Sequence, residues 1–135
     1  MRLLIPLLAV LTACTPATGP IDDGRLELLA RGEVFELGGP ITLALANGLD
    51  EPIGFNFCQR YWERREAGRW QRVEELMICT PAFETLAAGA SVERTLGVPY
   101  GLTPGVWRVS AALQVGEASE SIVSNEFVIE AGLQR

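Results

Sequence analysis

The clearest alternation of hydrophobic and polar positions lies between residues 105 and 115. Apolar side chains occupy every second position and so share one face: Trp107, Val109, Ala111, Leu113 and Val115. A period of two residues is typical of a half-buried antiparallel strand. Pro104 and Gly105 open this segment and predict a type II turn, because Pro fixes φ and Gly accepts a positive φ.

Shorter runs of the same kind predict the other strands, over residues 41–47, 53–58, 92–98 and 124–130, after a broken strand over 25–37 with a kink near Gly32. Arg94 shares a face with Val92 and Leu96, which predicts a bulge at Arg94. Residues 74–83 are predicted to be irregular, and residues 116–121 to be a polar turn. Short strands separated by Gly and Pro indicate an all-β fold, a single β-sandwich over residues 25–132.

Residues 61–73 predict a β-hairpin, because Ala67-Gly68 separates two strand-like runs. A loop of these two residues sets three cross-strand pairs: Glu66 with Arg69, Arg65 with Trp70, and Glu63 with Arg72. Two of the pairs join opposite charges, and one joins Arg to an aromatic ring. Both kinds of pair stabilise an antiparallel ladder, so the register is consistent with the residues it brings together.

The N-terminus carries one positive charge and then a short apolar run over residues 3–11. This run is too short to cross a bilayer as a helix and predicts the apolar region of a signal peptide. It ends in Leu11-Thr12-Ala13-Cys14, which resembles the lipobox of bacterial lipoproteins. The resemblance implies cleavage after residue 13 and acylation of Cys14 with several chains, which together make a stable membrane anchor. An ordinary signal peptide followed by an incidental cysteine is the alternative.

Residues 14–24 predict a flexible tether, because Pro, Gly, Thr and Asp dominate and little apolar surface is available for packing. Thr15 follows the cysteine, whereas lipoproteins kept at the inner membrane tend to carry Asp there. The resemblance therefore implies a lipid-anchored protein of the bacterial cell envelope, at the periplasmic face of the outer membrane. The predicted organisation is a signal peptide over 1–13, a tether over 14–24 and the sandwich over 25–132.

The two remaining cysteines, Cys58 and Cys79, predict a disulfide. An exported domain matures in an oxidising compartment, where an even number of cysteines favours pairing. A loop of roughly twenty residues closed in this way stabilises a fold by about 3 kcal/mol. The bridge also ties the irregular segment to the base of the hairpin. Two buried free thiols are the alternative.

Charge and residue types argue against several functions. The net charge is −6 at pH 7 and the chain contains neither His nor Lys, so we expect no nucleic-acid partner. Without His, no Ser-His pair, Cys-His pair or His metal ligand can form. Adjacent carboxylates occur at Asp22-Asp23, Asp50-Glu51 and Glu74-Glu75, without the spacing of a Ca²⁺ loop or a glycosidase. We expect no enzymatic activity, no cofactor and no metal site.

Four motifs in order resemble the bacterial Ig-like domains of secreted and lipid-anchored proteins: Gly68-Arg69-Trp70, Leu86-Ala87-Ala88-Gly89, residues 102–108 and residues 124–129. Residues 102–109 also resemble the F strand of immunoglobulin folds, with Trp107 in place of the corner tyrosine and Val109 in place of a disulfide cysteine. The resemblance implies an immunoglobulin-like antiparallel β-sandwich of about seven strands that lacks the usual inter-sheet disulfide. It implies no catalytic residues, and a fold alone does not define an activity.

We therefore expect a lipid-anchored envelope protein with a non-enzymatic binding or structural module that meets an envelope protein partner. The alternative is an inhibitor or accessory subunit of an envelope enzyme, and a hydrolase is disfavoured by the missing His. The predicted partner surface is the hairpin face that carries Tyr61, Glu63, Arg65, Trp70 and Arg72. Arg, Trp and Tyr dominate binding hot spots. Ordinary cross-strand pairs that need no partner are the alternative for this face.

The opposite face of the hairpin is predicted to meet the core. It carries Trp62, Arg64 and Val73, and Cys58 shares their parity if no bulge intervenes. The position of Cys58 therefore depends on whether the strand before the hairpin is regular.

Overall fold

The computed structural model describes residues 24–133, which form ten strands. The strands are β1 (Leu26–Ala30), β2 (Val34–Glu36), β3 (Pro40–Asn47), β4 (Ile53–Glu66), β5 (Arg69–Val73), β6 (Glu84–Leu86), β7 (Ser91–Gly97), β8 (Gly105–Val115), β9 (Ala118–Val123) and β10 (Phe127–Glu130). The predicted signal peptide, Cys14 and the tether up to residue 23 lie outside the described residues. No helix in the described part of the chain is long and apolar enough to cross a membrane.

The strands form two sheets, and the predicted immunoglobulin-like β-sandwich is confirmed. One sheet has the order β1-β3-β7, and the other has the order β2-β10-β8-β4-β5, with β6 paired to β4 and β9 paired to β8. The pairing is antiparallel throughout these ladders except between β10 and β2, which run parallel. The apolar faces of the two sheets pack on each other, and their buried residues form one hydrophobic core.

The predicted break in the first strand is a change of sheet. β1 pairs with β3 in the smaller sheet, whereas β2 pairs with β10 in the larger one. Gly32 lies between them with φ of 137°, and a Cβ there would lie 3.0 Å from the Phe35 ring. Only glycine adopts this backbone conformation readily, so Gly32 permits the chain to cross between the sheets.

The predicted polar turn over residues 116–121 is wrong, because most of these residues belong to a strand. Gly116 and Glu117 alone form the turn, after which β9 pairs with β8 over six residues. The side chains of β9 are mostly exposed, because β9 pairs only with β8 among the described strands. A polar composition here marks an exposed edge strand. Beyond the predicted strands, the structure adds β6 and β9 and splits the first strand into β1 and β2.

The predicted type II turn at Pro104 and Gly105 is wrong as well. The turn occurs earlier, where the backbone N–H of Leu102 donates to the carbonyl of Pro99 at 3.3 Å. Gly105 is the first residue of β8, and its φ is 156°. A Cβ on Gly105 would lie 2.9 Å from Nε of Arg64, so glycine is needed here for the close approach of that side chain.

Trp107 takes the role of the corner residue in the strand that resembles the immunoglobulin F strand. Its ring is 1% exposed, and its Nε1–H donates to the carbonyl of Thr103 at 3.0 Å. A tyrosine corner uses the hydroxyl to bind the backbone a few residues upstream. The indole of Trp107 makes the equivalent bond while its ring fills the core.

The chain contains a bulge, but it lies in β4 and not at Arg94. β7 pairs with β3 in an unbroken register through Arg94, which contradicts the predicted bulge. Arg94 shares the inner face of an edge strand, and its guanidinium reaches outward to Glu84 at 3.4 Å. A charged side chain on an edge strand disfavours pairing with another chain.

The bulge in β4 changes which residues face the core. The register with β8 shifts between Asn56 and Arg60. Phe55 is buried before the shift, Phe57 is buried at its start and Trp62 is buried after it, so the inward positions change from odd to even numbers. The prediction that Cys58 shares the core face of Trp62 is therefore wrong, because it required a regular strand and β4 contains a bulge between them.

Candidate functional site

The predicted disulfide between Cys58 and Cys79 is confirmed. Cys58 lies in the bulged part of β4, and Cys79 lies in the segment between β5 and β6, which has no regular secondary structure as predicted. The bridge joins these two irregular segments at the point where the ladder between β4 and β8 is interrupted.

Asn56 holds the same segment through its side-chain amide. Its Nδ2–H₂ group donates to the carbonyls of Thr80 at 3.0 Å and Ala82 at 2.9 Å. Its Oδ1 accepts from the backbone N–H of Cys58 at 3.0 Å, within the bulge. Asn56 is 7% exposed, so these bonds satisfy a buried polar group while fixing the segment to β4.

Glu75 fixes the other end of the segment to the core. Its Oε2 accepts from Nε1–H of Trp62 at 3.1 Å and from Nη2 of Arg60 at 3.3 Å. Nη1 of Arg60 also donates to the carbonyl of Phe57 at 3.0 Å. Burial lowers the pKa of Arg60 from its ordinary value, and the nearby Glu75 carboxylate opposes that effect. The network thus pairs a buried cation and satisfies a buried indole.

The predicted register of the hairpin is confirmed. The Cα pairs are Glu66 with Arg69, Arg65 with Trp70, and Glu63 with Arg72. The two-residue loop fixes this register, since a slip of one residue would turn every side chain to the other face. Tyr61, Glu63, Arg65, Trp70 and Arg72 therefore lie on the outer face of the larger sheet, opposite the buried Trp62.

The side-chain partners on this face differ from the backbone pairs. The guanidinium of Arg108, in β8, lies 4.4 Å from the centre of the Trp70 ring, and its Nε donates to Oε1 of Glu63 at 3.2 Å. Arg72 lies instead over the Tyr61 ring, at 3.8 Å.

Arg65 turns away from Trp70 and forms an ion pair with Glu126 at 3.5 Å. We call Tyr61, Glu63, Trp70, Arg72 and Arg108 the Arg–aromatic cluster.

Arg108 is the residue of this cluster that the sequence did not identify. Its place on the polar face of β8 follows from the alternation of that strand, but the pairing of β8 with β4 does not. Glu63 is 8% exposed and supports Arg108 from below, whereas Tyr61 is 41% exposed. Val106, Val128 and Val34 continue the face across β8, β10 and β2.

The cluster is an ordered surface. It offers guanidinium groups stacked on aromatic rings, one of them bound to a carboxylate, beside exposed aliphatic side chains. In the described part of the chain, no group of three His, Cys, Asp or Glu residues is placed to hold a metal ion. The chemistry available on this face is that of recognition, by cation–π contact, ion pairing and burial of apolar surface.

Replacing Arg108 by Ala is expected to lower the free energy of unfolding by about 1–2 kcal/mol. The change uncovers Trp70 and leaves the nearly buried carboxylate of Glu63 without its partner. Arg65→Ala is the matched control, because both side chains of the pair with Glu126 are about half exposed, and we expect less than about 0.5 kcal/mol. Urea unfolding of the two variants measures the difference, and equal losses would contradict the central position of Arg108.

Comparison with known proteins shows the fold and no family. No protein-family model matches the chain, and no curated protein sequence matches it. Among solved structures, the sporulation control protein Spo0M of Bacillus subtilis is similar with a TM-score of 0.52 and 12% identity, over 80% of this chain and 49% of that one. The chain thus spans about half the length of Spo0M.

A second similar structure is the ASH/PapD-like domain 7 of human CEP192. Its TM-score is 0.44 with 13% identity, over 96% of this chain and 100% of that domain. The likeness to Spo0M concerns the β-sandwich alone, and the function of this chain has to be argued from its own residues.

Proposed function

We propose that this chain is a lipid-anchored protein of the bacterial cell envelope whose β-sandwich is a non-enzymatic binding module. The observation that carries the proposal is the Arg–aromatic cluster on the outer face of the larger sheet. Its side chains are held in place by contacts within the chain before any partner arrives. Pre-ordered side chains lower the conformational entropy that binding costs.

The chemistry of the cluster favours a protein partner with carboxylates on its facing surface. Arg108 binds Glu63 through its Nε and lies over Trp70, and within residues 24–133 its Nη groups make no ion pair. A partner carboxylate can pair with those Nη groups, and apolar groups can cover Trp70 and the valines of β8, β10 and β2. Such a mixture of aromatic, Arg and aliphatic contacts is typical of the centre of protein interfaces.

The anchor is the second part of the proposal and depends on the lipobox motif that ends at Cys14. An acylated Cys14 would hold the sandwich at the membrane, and residues 15–24 would give it freedom to turn toward a partner. The two parts are independent, because the motif concerns where the chain is and the cluster concerns what it binds.

Capture from a bacterial envelope extract tests the binding module. We expect the double variant Arg65→Glu, Trp70→Ala to lose a partner that the parent chain retains, while the variant stays folded. The matched control is Arg31→Glu, Tyr100→Ala, which makes the same charge change and removes an exposed aromatic ring elsewhere. Retention of the partner by the folded Arg65→Glu, Trp70→Ala variant would remove this face from consideration. A single enzyme that is captured and loses activity would instead favour an inhibitor or accessory subunit.

A further inference from the structure

Three consecutive apolar side chains project from the segment between β5 and β6. Leu76 and Ile78 are fully exposed, at 104% and 105%, and Met77 is 39% exposed. We call Leu76, Met77 and Ile78 the apolar arch. The sequence predicts an irregular segment here. A run of three apolar residues in such a segment does not by itself indicate that their side chains are exposed.

The apolar arch is held in this position from both ends. Glu75, immediately before it, is bound to Trp62 and Arg60, and Cys79, immediately after it, is bridged to Cys58. Asn56 binds the next residues along the chain. The ion pair of Glu75 with Arg60 and the disulfide thus fix both ends of the segment that carries the three side chains to β4. Exposed apolar surface that the fold maintains in this way marks an interaction site.

The surroundings of the apolar arch have the composition of a membrane interface. Met77 and Tyr61 line the same shallow cleft of about 290 Å³, together with Arg60 and Glu75. Arg72 lies over the exposed Tyr61 ring. Tyr and Trp are enriched where a protein meets the headgroup layer, and Arg reaches phosphate groups from there while its stem stays in apolar surroundings.

The charge distribution also favours membrane contact on this side of the molecule. Residues 59–80 contain five Arg and four Glu, so this stretch carries no excess of negative charge. The rest of residues 24–133 contains four Arg and eleven Asp or Glu. An anionic bilayer surface repels the acidic remainder and leaves the stretch around the apolar arch as the part that can approach it.

The length of chain before the sandwich allows this approach. Gly24 lies ten positions after Cys14, and an extended chain of that length reaches roughly 35 Å. Two packed sheets are about 10 Å apart, so the tether is long enough for the sandwich to lie on its side at the membrane.

We propose that the apolar arch inserts into the interfacial layer of the bilayer that holds the acylated Cys14, with Tyr61 and Arg72 at the level of the headgroups. This inference rests on the proposed lipid anchor. The insertion fixes the orientation of the sandwich and leaves Trp70 and Arg108 accessible to a protein partner. A partner's apolar pocket and a second copy of the chain are the other possible occupants of the arch.

A depth-dependent fluorescence experiment on the acylated full chain tests the insertion. The chain is reconstituted into vesicles of phosphatidylethanolamine and phosphatidylglycerol, with or without bromine on the acyl chains, as the parent and as Ile78→Trp. Val34→Trp is the matched control, because Val34 is 53% exposed and lies in β2, at the opposite edge of the sheet from β5. We expect brominated lipid to quench the added fluorescence of Ile78→Trp and to leave that of Val34→Trp unchanged.

Three results would overturn the inference. Chains that float with the vesicles but show no quenching at position 78 would reject insertion and leave the anchor intact. Chains that do not float with the vesicles would reject the anchor and the insertion with it. A blue shift at position 78 that depends on protein concentration and not on bromine would assign the arch to a second copy of the chain.

Discussion

Replacing Cys58 by Ser is expected to lower the free energy of unfolding by about 3 kcal/mol. The bridge spans a sequence separation of 21 residues, and closing a loop of that length lowers the conformational entropy of the unfolded chain. The ladder between β4 and β8 is interrupted at the bulge, and no strand covers residues 74–83. For a domain of this size, the loss corresponds to a fall in melting temperature of roughly 10–20 °C.

Calorimetry of the oxidised parent, the reduced parent and the variants measures this effect. The reduced parent and the double variant Cys58→Ser, Cys79→Ser should melt close to Cys58→Ser, because all three lack the same constraint. Mass spectrometry of the exported, unreduced chain should find the two cysteine peptides linked. A melting temperature unchanged by reduction, or two free thiols after export, would contradict the role assigned to the bridge.

Glu75→Ala is expected to destabilise the sandwich by about 2 kcal/mol, whereas Glu74→Ala should change it by less than about 0.5 kcal/mol. Loss of the Glu75 carboxylate leaves the Arg60 guanidinium without its counter-ion, and the side chain of Arg60 is only 7% exposed. It also leaves Nε1–H of the fully buried Trp62 without an acceptor. The Glu75 side chain is itself 26% exposed, so water reduces the penalty below that of a fully buried pair.

Glu74 is the matched control because it is the adjacent residue of the same type and is exposed. Urea unfolding of both variants gives the comparison directly. A second variant, Arg60→Met with Glu75→Gln, should recover part of the loss, since it removes the unpaired charge and keeps an acceptor for the indole. Equal effects of Glu74→Ala and Glu75→Ala would show that the network with Arg60 and Trp62 does not hold the segment.

Local sequence rules predicted the features that depend on neighbouring residues. The two-residue loop at Ala67-Gly68 fixes the hairpin register, and so the face that carries Trp70 follows from counting residues. The pairing of Cys58 with Cys79 follows from an even number of cysteines in an exported domain, once Cys14 is assigned to lipid.

Features that depend on distant contacts were not predictable in the same way. Phe57 and Trp62 both face the core although they are five positions apart, which requires a bulge between them. The sequence between them has no Gly or Pro to indicate that bulge. Arg108 reaches Trp70 because β8 lies beside β4, and strand order is a property of the whole sheet. Glu75 binds Trp62 for the same reason, so neither the network nor the exposure of the apolar arch follows from local pattern.

Composition gave wrong predictions of secondary structure where exposed strands and turns contain the same types of residue. The polar stretch in β9 has the residues of a turn, but its backbone pairs with β8 and its side chains face water. Pro104-Gly105 has the residues of a type II turn, whereas Gly105 is glycine because Arg64 lies against it. In both segments, pairing with a neighbouring strand determined the structure more strongly than local propensity did.

The proposed anchor and the proposed membrane contact both depend on the modification of Cys14, so intact-mass spectrometry of the chain purified from bacterial membranes is the most direct test. We expect a chain that begins at Cys14 and carries the added mass of several acyl chains, together with a Cys14→Ala variant that lacks this mass. A parent chain that is cleaved elsewhere, or that begins with an unmodified Cys14, would contradict it.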